Sequence, residues 1–175
     1  MNNTLPGKYR YSLMKWTLFL FITIGLQSCY SFKGISIPPD INTFYVENFE
    51  NRANNAPATI DQTFSEALRT KIRNESRLNL IDQDPDIIFQ GTISSFRITS
   101  EAPQEGNTVA FNKLTIVVQV EYVNSRNEDE NWQRNFSFFE DFDSTADFQS
   151  IQDGLIELIF NQITEDIFNA SFTNW

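Results

Sequence analysis

Leu114-Thr115-Ile116-Val117-Val118-Gln119-Val120-Glu121-Tyr122 alternates apolar with mostly polar side chains. Successive residues of a strand point to opposite faces, so this stretch predicts a sheet with one buried side and one wet side. Toward the C-terminus, the charged turn Asn124 to Asn131 leads into Trp132, Phe136, Phe138 and Phe142. These share one parity and interleave with Gln133, Asn135, Ser137 and Asp141, which repeats the half-buried pattern. Beyond them Phe148, Ile151, Leu155, Ile159, Ile163 and Ile167 recur at helical spacing, and Ile156, Leu158 and Phe160 widen the stripe. A closing helix is expected there.

Toward the N-terminus, Ile87, Phe89 and Ile93 hold one parity while Phe96 and Ile98 take the other, so a β-bulge is expected near Ser94-Ser95. The turn Asp82-Gln83-Asp84-Pro85-Asp86 precedes that strand, and Leu78 to Ile81 supplies a short one before the turn. Ile60, Phe64, Ala67, Leu68 and Ile72 mark the apolar face of a helix that ends near Ser76, opened by a capping-box pair of Thr59 with Gln62. Asn42 to Phe49, rich in aromatic and β-branched residues, reads as a first strand closed by the loop Glu50 to Asn55. Strand, helix, a short strand and three long ones, then helix: the burial scheme that serves them all is an α+β two-layer sandwich. Two helices pack on one face of a four- or five-stranded mixed, mostly antiparallel sheet.

The N-terminus reads differently. Lys8, Arg10 and Lys15 precede an uncharged apolar run of 11 residues, Trp16 to Leu26. That is the make-up of an export signal, whereas a spanning helix needs about 20 apolar residues. Leu26-Gln27-Ser28-Cys29 follows at once and resembles the lipobox of bacterial lipoproteins, although Gln27 stands where a small residue is usual. Residues 1–28 are therefore expected to be removed. The Cys29 thiol would take a diacylglyceryl group, and its freed α-amine a third chain. At about 0.8 kcal/mol per buried methylene, two or three chains anchor a protein essentially permanently. Residues 29–40, punctuated by Gly34 and Pro38-Pro39, read as a leash, and residues 41–175 as a single α+β domain. Tyr30-Ser31-Phe32 offers neither an acidic run that exports a lipoprotein to the cell surface nor an Asp that retains it at the inner membrane. The expected location is the outer membrane, facing the periplasm.

Composition narrows the chemistry. The chain of 175 residues has 13 basic and 23 acidic side chains, no histidine and one cysteine. Removing residues 1–28 takes away three basic residues and no acidic one, which leaves 10 against 23, a charge of −13. Such a balance argues against nucleic acid as a partner. Without histidine, and with Cys29 committed to lipid, imidazole bases, thiol nucleophiles and His or Cys metal sites are excluded. Nucleophile elbows and phosphate-cradling glycine loops are missing as well. Asp82, Asp84 and Asp86 have the spacing that starts a calcium loop, but Ile87 and Ile93 occupy the positions that need Gly and Glu, so a solvated turn is expected instead. No catalytic residue, metal or cofactor is expected, and paired carboxylates remain the one enzymatic alternative.

The few cations are informative by position. Arg69, Arg73 and Arg77 fall four apart on the solvent side of the first helix, while Lys71 lies on its apolar side with room to snorkel. The bland reading is a solvated helix face whose Arg residues suit its C-terminal end. The functional reading is a contact for phosphate or carboxylate on a glycolipid or a partner, with Arg97 and Lys113 on the central strands as alternative candidates.

Several segments, in order, resemble one family. Ser36-Ile37-Pro38-Pro39-Asp40-Ile41 leading into Phe44-Tyr45-Val46-Glu47-Asn48-Phe49-Glu50-Asn51, behind the lipobox, is similar to the start of the lipopolysaccharide-assembly lipoproteins called LptE. Phe64-Ser65-Glu66-Ala67-Leu68-Arg69 resembles their first helix, Pro85-Asp86-Ile87-Ile88-Phe89-Gln90-Gly91-Thr92-Ile93 the strand after it, and Phe168 to Trp175 their terminus. The resemblance implies a non-enzymatic subunit of the lipopolysaccharide translocon, lodged in the lumen of the LptD-type β-barrel and able to bind lipopolysaccharide. Barrel lumens are polar, and Thr115, Gln119, Gln133 and Asn135 on the far face of the sheet would suit one. Two other readings stay open: a different periplasm-facing accessory lipoprotein, of the pilot or barrel-assembly type, and a lipid-anchored hydrolase.

Overall fold

The strand that opens the reading above runs as β5, Phe111–Asn124, at the centre of three long antiparallel strands. The computed structural model describes residue 34, residues 36–101 and residues 110–173. The export signal, Cys29, half of the leash, residues 102–109 and the last two residues lie outside them. Before β5 come β1 (Thr43–Val46), β2 (Glu50–Asn51), helix α1 (Ile60–Glu75), β3 (Asn79–Leu80) and β4 (Ile87–Glu101). After it come a 3-10 turn at Glu128–Glu130, β6 (Trp132–Asp143) and helix α2 (Phe148–Phe172).

The sheet order is β3-β1-β4-β5-β6, with β2 pairing parallel to β4 just beyond β1. β1 pairs parallel with both β3 and β4, while β4, β5 and β6 form an antiparallel meander. The arrangement is α+β, with six strands rather than four or five. The extra strand arises because the expected first strand breaks at Glu47–Phe49. Phe49 turns into the core there, and its N–H donates to Ser65 Oγ on α1 at 3.0 Å instead of to the sheet.

Gly91 makes this break possible. A Cβ on Gly91 would stand 2.8 Å from the Phe49 ring and 2.0 Å from the backbone oxygen of Gln119. Neither can move cheaply, because one is sealed in the core and the other belongs to a paired strand. Gly91→Ala is expected to cost about 1–3 kcal/mol through overpacking, read as a lower urea midpoint at unchanged slope.

The bulge lies where the parity change places it. Ile93 pairs with Val118 and Ser95 with Val117, so one extra residue is absorbed and both Ile93 and Phe96 turn inward. Past Phe96 the cover ends, and Ile98, expected on the apolar side, is 43% exposed. The core is formed by Phe44, Val46, Ile87, Phe89, Ile93 and the β5 residues Leu114, Ile116, Val118 and Val120 on the sheet side. Ile60, Phe64, Leu68 and Ile72 of α1 and Ile159, Phe160, Ile163 and Ile167 of α2 close it from the other.

Two expectations of local chemistry need correction. Thr59 is the N-cap of α1, but its side chain makes no capping bond, so the Thr59–Gln62 box does not form. Its backbone ψ of 6° turns the residue toward the helix, and its carbonyl instead accepts from both the N–H and the hydroxyl of Thr63. Nor is Lys71 a snorkelling cation. It forms ion pairs with Glu75 at 2.6 Å and with Glu165 of α2, tying the two helices together. Burial works against the Lys71 charge, yet the hydrogen bonds and charges of Glu165 and Glu75 outweigh it and raise its pKa. The same hydrogen bond from Lys71 holds Glu165 below the usual carboxylate range.

Candidate functional site

Both helices cover one side of the sheet, and no described element covers the other. Alternation decides what stands there. Register puts Gln90, Glu121 and Gln133 in one row, Thr92, Gln119 and Asn135 in the next, then Ser95, Val117 and Ser137. Toward the β4–β5 hairpin the rows continue as Arg97, Thr115 and Phe139, then Thr99, Lys113 and Asp141. Thr115, Gln119, Gln133 and Asn135 thus share a broad amide and hydroxyl surface. It is half-exposed on the central strand and fully exposed on β6.

The five cations singled out by sequence do not gather. Arg69 is turned inward along the helix: its Nε and Nη2 donate to the Val46 carbonyl at 3.2 and 2.9 Å, and Nη2 also reaches Asn48 Oδ1 at 2.8 Å. It holds the end of β1 and is only 17% exposed at the side chain. Arg77 lies past the helix end and donates to Asn42 Oδ1 and to the Pro38 carbonyl, at 3.0 and 2.6 Å, which fastens residues before β1. Those residues are further held by the Ser36 N–H donating to the Phe172 carbonyl at 2.8 Å. Arg73 is exposed and, among the described residues, makes only a 3.4 Å contact with Thr70 Oγ1.

Arg97 and Lys113 are brought together on the open face, as diagonal neighbours across β4 and β5. Lys113 pairs with Glu101 at 3.1 Å and stands 4.5 Å from the centre of the Phe139 ring. Arg97 has no hydrogen bond or ion pair with a described residue. Phe139, 46% exposed, was missed by the periodicity, which placed the β6 aromatics on the other parity. The signal lay in the doubled Phe138-Phe139, whose second ring must fall on the wet side. The result is a small patch with two cations, one ring and hydroxyls, bordered by Glu101 and Asp141.

Asp86 has a different role from its neighbours in the acidic turn. Asp82 and Asp84 are exposed, but Asp86 is 4% exposed and receives four donors. The Asn42 N–H, the Thr43 N–H and the Thr43 hydroxyl reach Oδ2 at 2.8, 3.1 and 3.0 Å, and Arg126 Nε reaches Oδ1 at 2.7 Å. The expected solvated turn is half right. Its last carboxylate is a clasp that fixes the start of β1 against β4, with a pKa lowered to about 2 by those hydrogen bonds.

Among the described residues no cluster of three or more His, Cys, Asp or Glu is placed to hold a metal. No described helix is long and apolar enough to cross a membrane. A cleft between the helices is lined by Thr59, Thr63, Asp153, Ile156 and Glu157.

Comparison with known proteins adds the family. The model of the family described as LptE, lipopolysaccharide-assembly, matches residues 41–171. No curated protein gives a match. Among solved structures the chain is similar to a hypothetical protein from Chlamydia trachomatis, at 10% identity over 75% of this chain and 98% of that one, with a TM-score of 0.52. It is likewise similar to a protein from Xanthomonas campestris, at 10% identity over 79% and 90% of the two chains, with a TM-score of 0.51. At such identities the likeness is one of fold.

Proposed function

Since the chain belongs to the LptE family of lipopolysaccharide assembly, we propose that it is a non-enzymatic outer-membrane lipoprotein, anchored through Cys29 and facing the periplasm. In this reading it plugs an LptD-type β-barrel and assists passage of lipopolysaccharide to the outer leaflet. The observation that carries the reading beyond the family is the uncovered sheet face. Its rows of Gln, Asn, Thr and Ser side chains offer hydrogen bonds in both directions, with Glu121 toward one end and Arg97, Lys113 and Asp141 toward the other, which suits the polar wall of a barrel lumen. A photo-crosslinking residue at Gln119 or Asn135 is expected to trap one large barrel protein in intact cells. Adducts confined to abundant periplasmic proteins would contradict the reading and favour a pilot-type accessory.

For the glycolipid itself, Arg97 and Lys113 are the proposed contacts, with exposed Arg73 a lesser one. Phosphate and carboxylate groups seek paired cations, and the Phe139 ring beside them can meet an apolar edge. Arg69 and Arg77 serve the fold by holding backbone carbonyls. Reversing both charges, Arg97→Glu with Lys113→Glu, is expected to weaken capture of lipopolysaccharide at least about tenfold while leaving thermal stability within about 1 kcal/mol. Unchanged capture would remove these two residues from the site.

A further inference from the structure

The sheet ends in two unlike edges. One is β3, two residues long; the other is β6, 12 residues long, paired to β5 on one side and to no described strand on the other. β6 carries no proline and its register against β5 is unbroken, and a long edge of that kind is a template for a further strand. The core also runs out here, since Trp132, Phe136 and Phe138 are only half-buried where the inner residues of β5 are sealed.

A hydrogen bond just past the strand end settles which backbone groups of β6 face outward. The Ser144 N–H donates to the Ala110 carbonyl at 3.2 Å, one step beyond the Phe111–Asp143 pair. Bonded and non-bonded pairs alternate along an antiparallel ladder, so the even-numbered residues from Trp132 to Phe142 bond to β5. The N–H and C=O groups of Gln133, Asn135, Ser137, Phe139 and Asp141 then point away from β5, to no partner among the described residues. The even-numbered side chains face the helix side, opposite Leu114, Ile116, Val118 and Val120 of β5. Phe136 and Phe138 stand at their centre, with Arg134 on one flank and Glu140 on the other.

Those two charges decide what the edge accepts. Neither has a hydrogen bond or ion pair with a described residue, and Arg134 only lies over the Trp132 ring, 5.3 Å from its centre. An incoming strand of apolar residues alone would cover both charges unpaired, which selects against it. A strand with an acidic residue beside Arg134 and a basic one beside Glu140 would neutralise both. The wall of a β-barrel cannot supply such a strand, because closure leaves it no free edge. Long loops folded into the lumen can. We propose that β6 is the docking edge for an extended loop segment of the barrel partner, which adds to the sheet with apolar side chains beside Phe136 and Phe138. The inference rests on the barrel reading and names a contact within it.

A photo-crosslinking residue in place of Phe138, in the full chain in intact cells, tests it. The expected adduct contains the barrel protein, with the crosslinked peptide lying between two wall strands. In this background Ser137→Pro removes an outward N–H and no bond to β5, and is expected to cut the adduct about fivefold or more, whereas Ser137→Ala leaves it unchanged. Arg134→Glu and Glu140→Arg should each cut it about fivefold, and the two together should cut it further, because one fixed segment then meets like charge twice. Three results would overturn the edge pairing and leave the barrel reading standing: barrel adducts from a crosslinker at Gln119 with none from Phe138, an adduct mapped to a wall strand, or a yield indifferent to Ser137→Pro and to both reversals. A species of doubled mass, its yield restored by the double reversal, would give the edge to a second copy and overturn the proposal. No barrel adduct from either position would overturn the barrel reading and this inference together.

Discussion

Replacing Phe64 with alanine is expected to lower folding stability by about 3–5 kcal/mol, a large share of the ~5–15 kcal/mol that holds a domain together. Phe64 is fully buried on α1, edge-on to Phe49 at 4.8 Å and to Phe160 of α2 at 5.0 Å. It therefore joins three parts of the fold: the segment linking β1 to β2, and each helix. Truncation leaves a cavity that neither partner can fill, since Phe49 is held by the Ser65 bond and Phe160 by the body of α2. Urea denaturation followed by circular dichroism checks this. A loss below about 1 kcal/mol would mean that the helices re-pack freely over the sheet.

The second large effect is expected at Asp86. Asp86→Ala strips the acceptor from the Asn42 and Thr43 N–H groups and leaves Arg126 without its partner, which should cost about 3 kcal/mol near neutral pH. The pH dependence gives an independent check. The carboxyl titrates at about 2 in the fold against an ordinary 3.8, so the folded pKa is depressed. Stability from this group is then fully present above about pH 4 and is lost as the pH falls through about 2, a loss on the order of 2 kcal/mol. Asp86→Asn should lack that acid limb while other carboxylates still titrate. Parallel stability curves for the wild type and Asp86→Asn between pH 4 and pH 2 would contradict the clasp.

Much of the architecture was legible because burial is one-sided. Leu114 to Tyr122 and the α2 stripe each carry a period that only one element satisfies, and the parity jump between Ile93 and Phe96 pointed to a bulge near Ser94-Ser95, where the register shifts between Ile93 and Ser95. Where the period is short or a side chain acts alone, the reading stopped. β2 is two residues long and exists because Gly91 lets Phe49 turn inward, a relation between positions far apart in the chain. Asp86 looked like the last carboxylate of a solvated turn until β1 supplied its donors. The site was less legible than the fold. Four-residue spacing placed Arg69, Arg73 and Arg77 on one helix face, but spacing says nothing of the carbonyls that take Arg69 and Arg77 out of use. Arg97 and Lys113 meet because β4 and β5 pair in one register, and Phe139 joins them because β6 does too.

Affinity purification of the tagged chain from membranes in mild detergent, with mass-spectrometric identification of what accompanies it, tests the translocon role most directly. One large outer-membrane β-barrel in about equal amount is the expected companion. Recovery of the chain without any barrel, from membranes where it is abundant and acylated, would contradict that role.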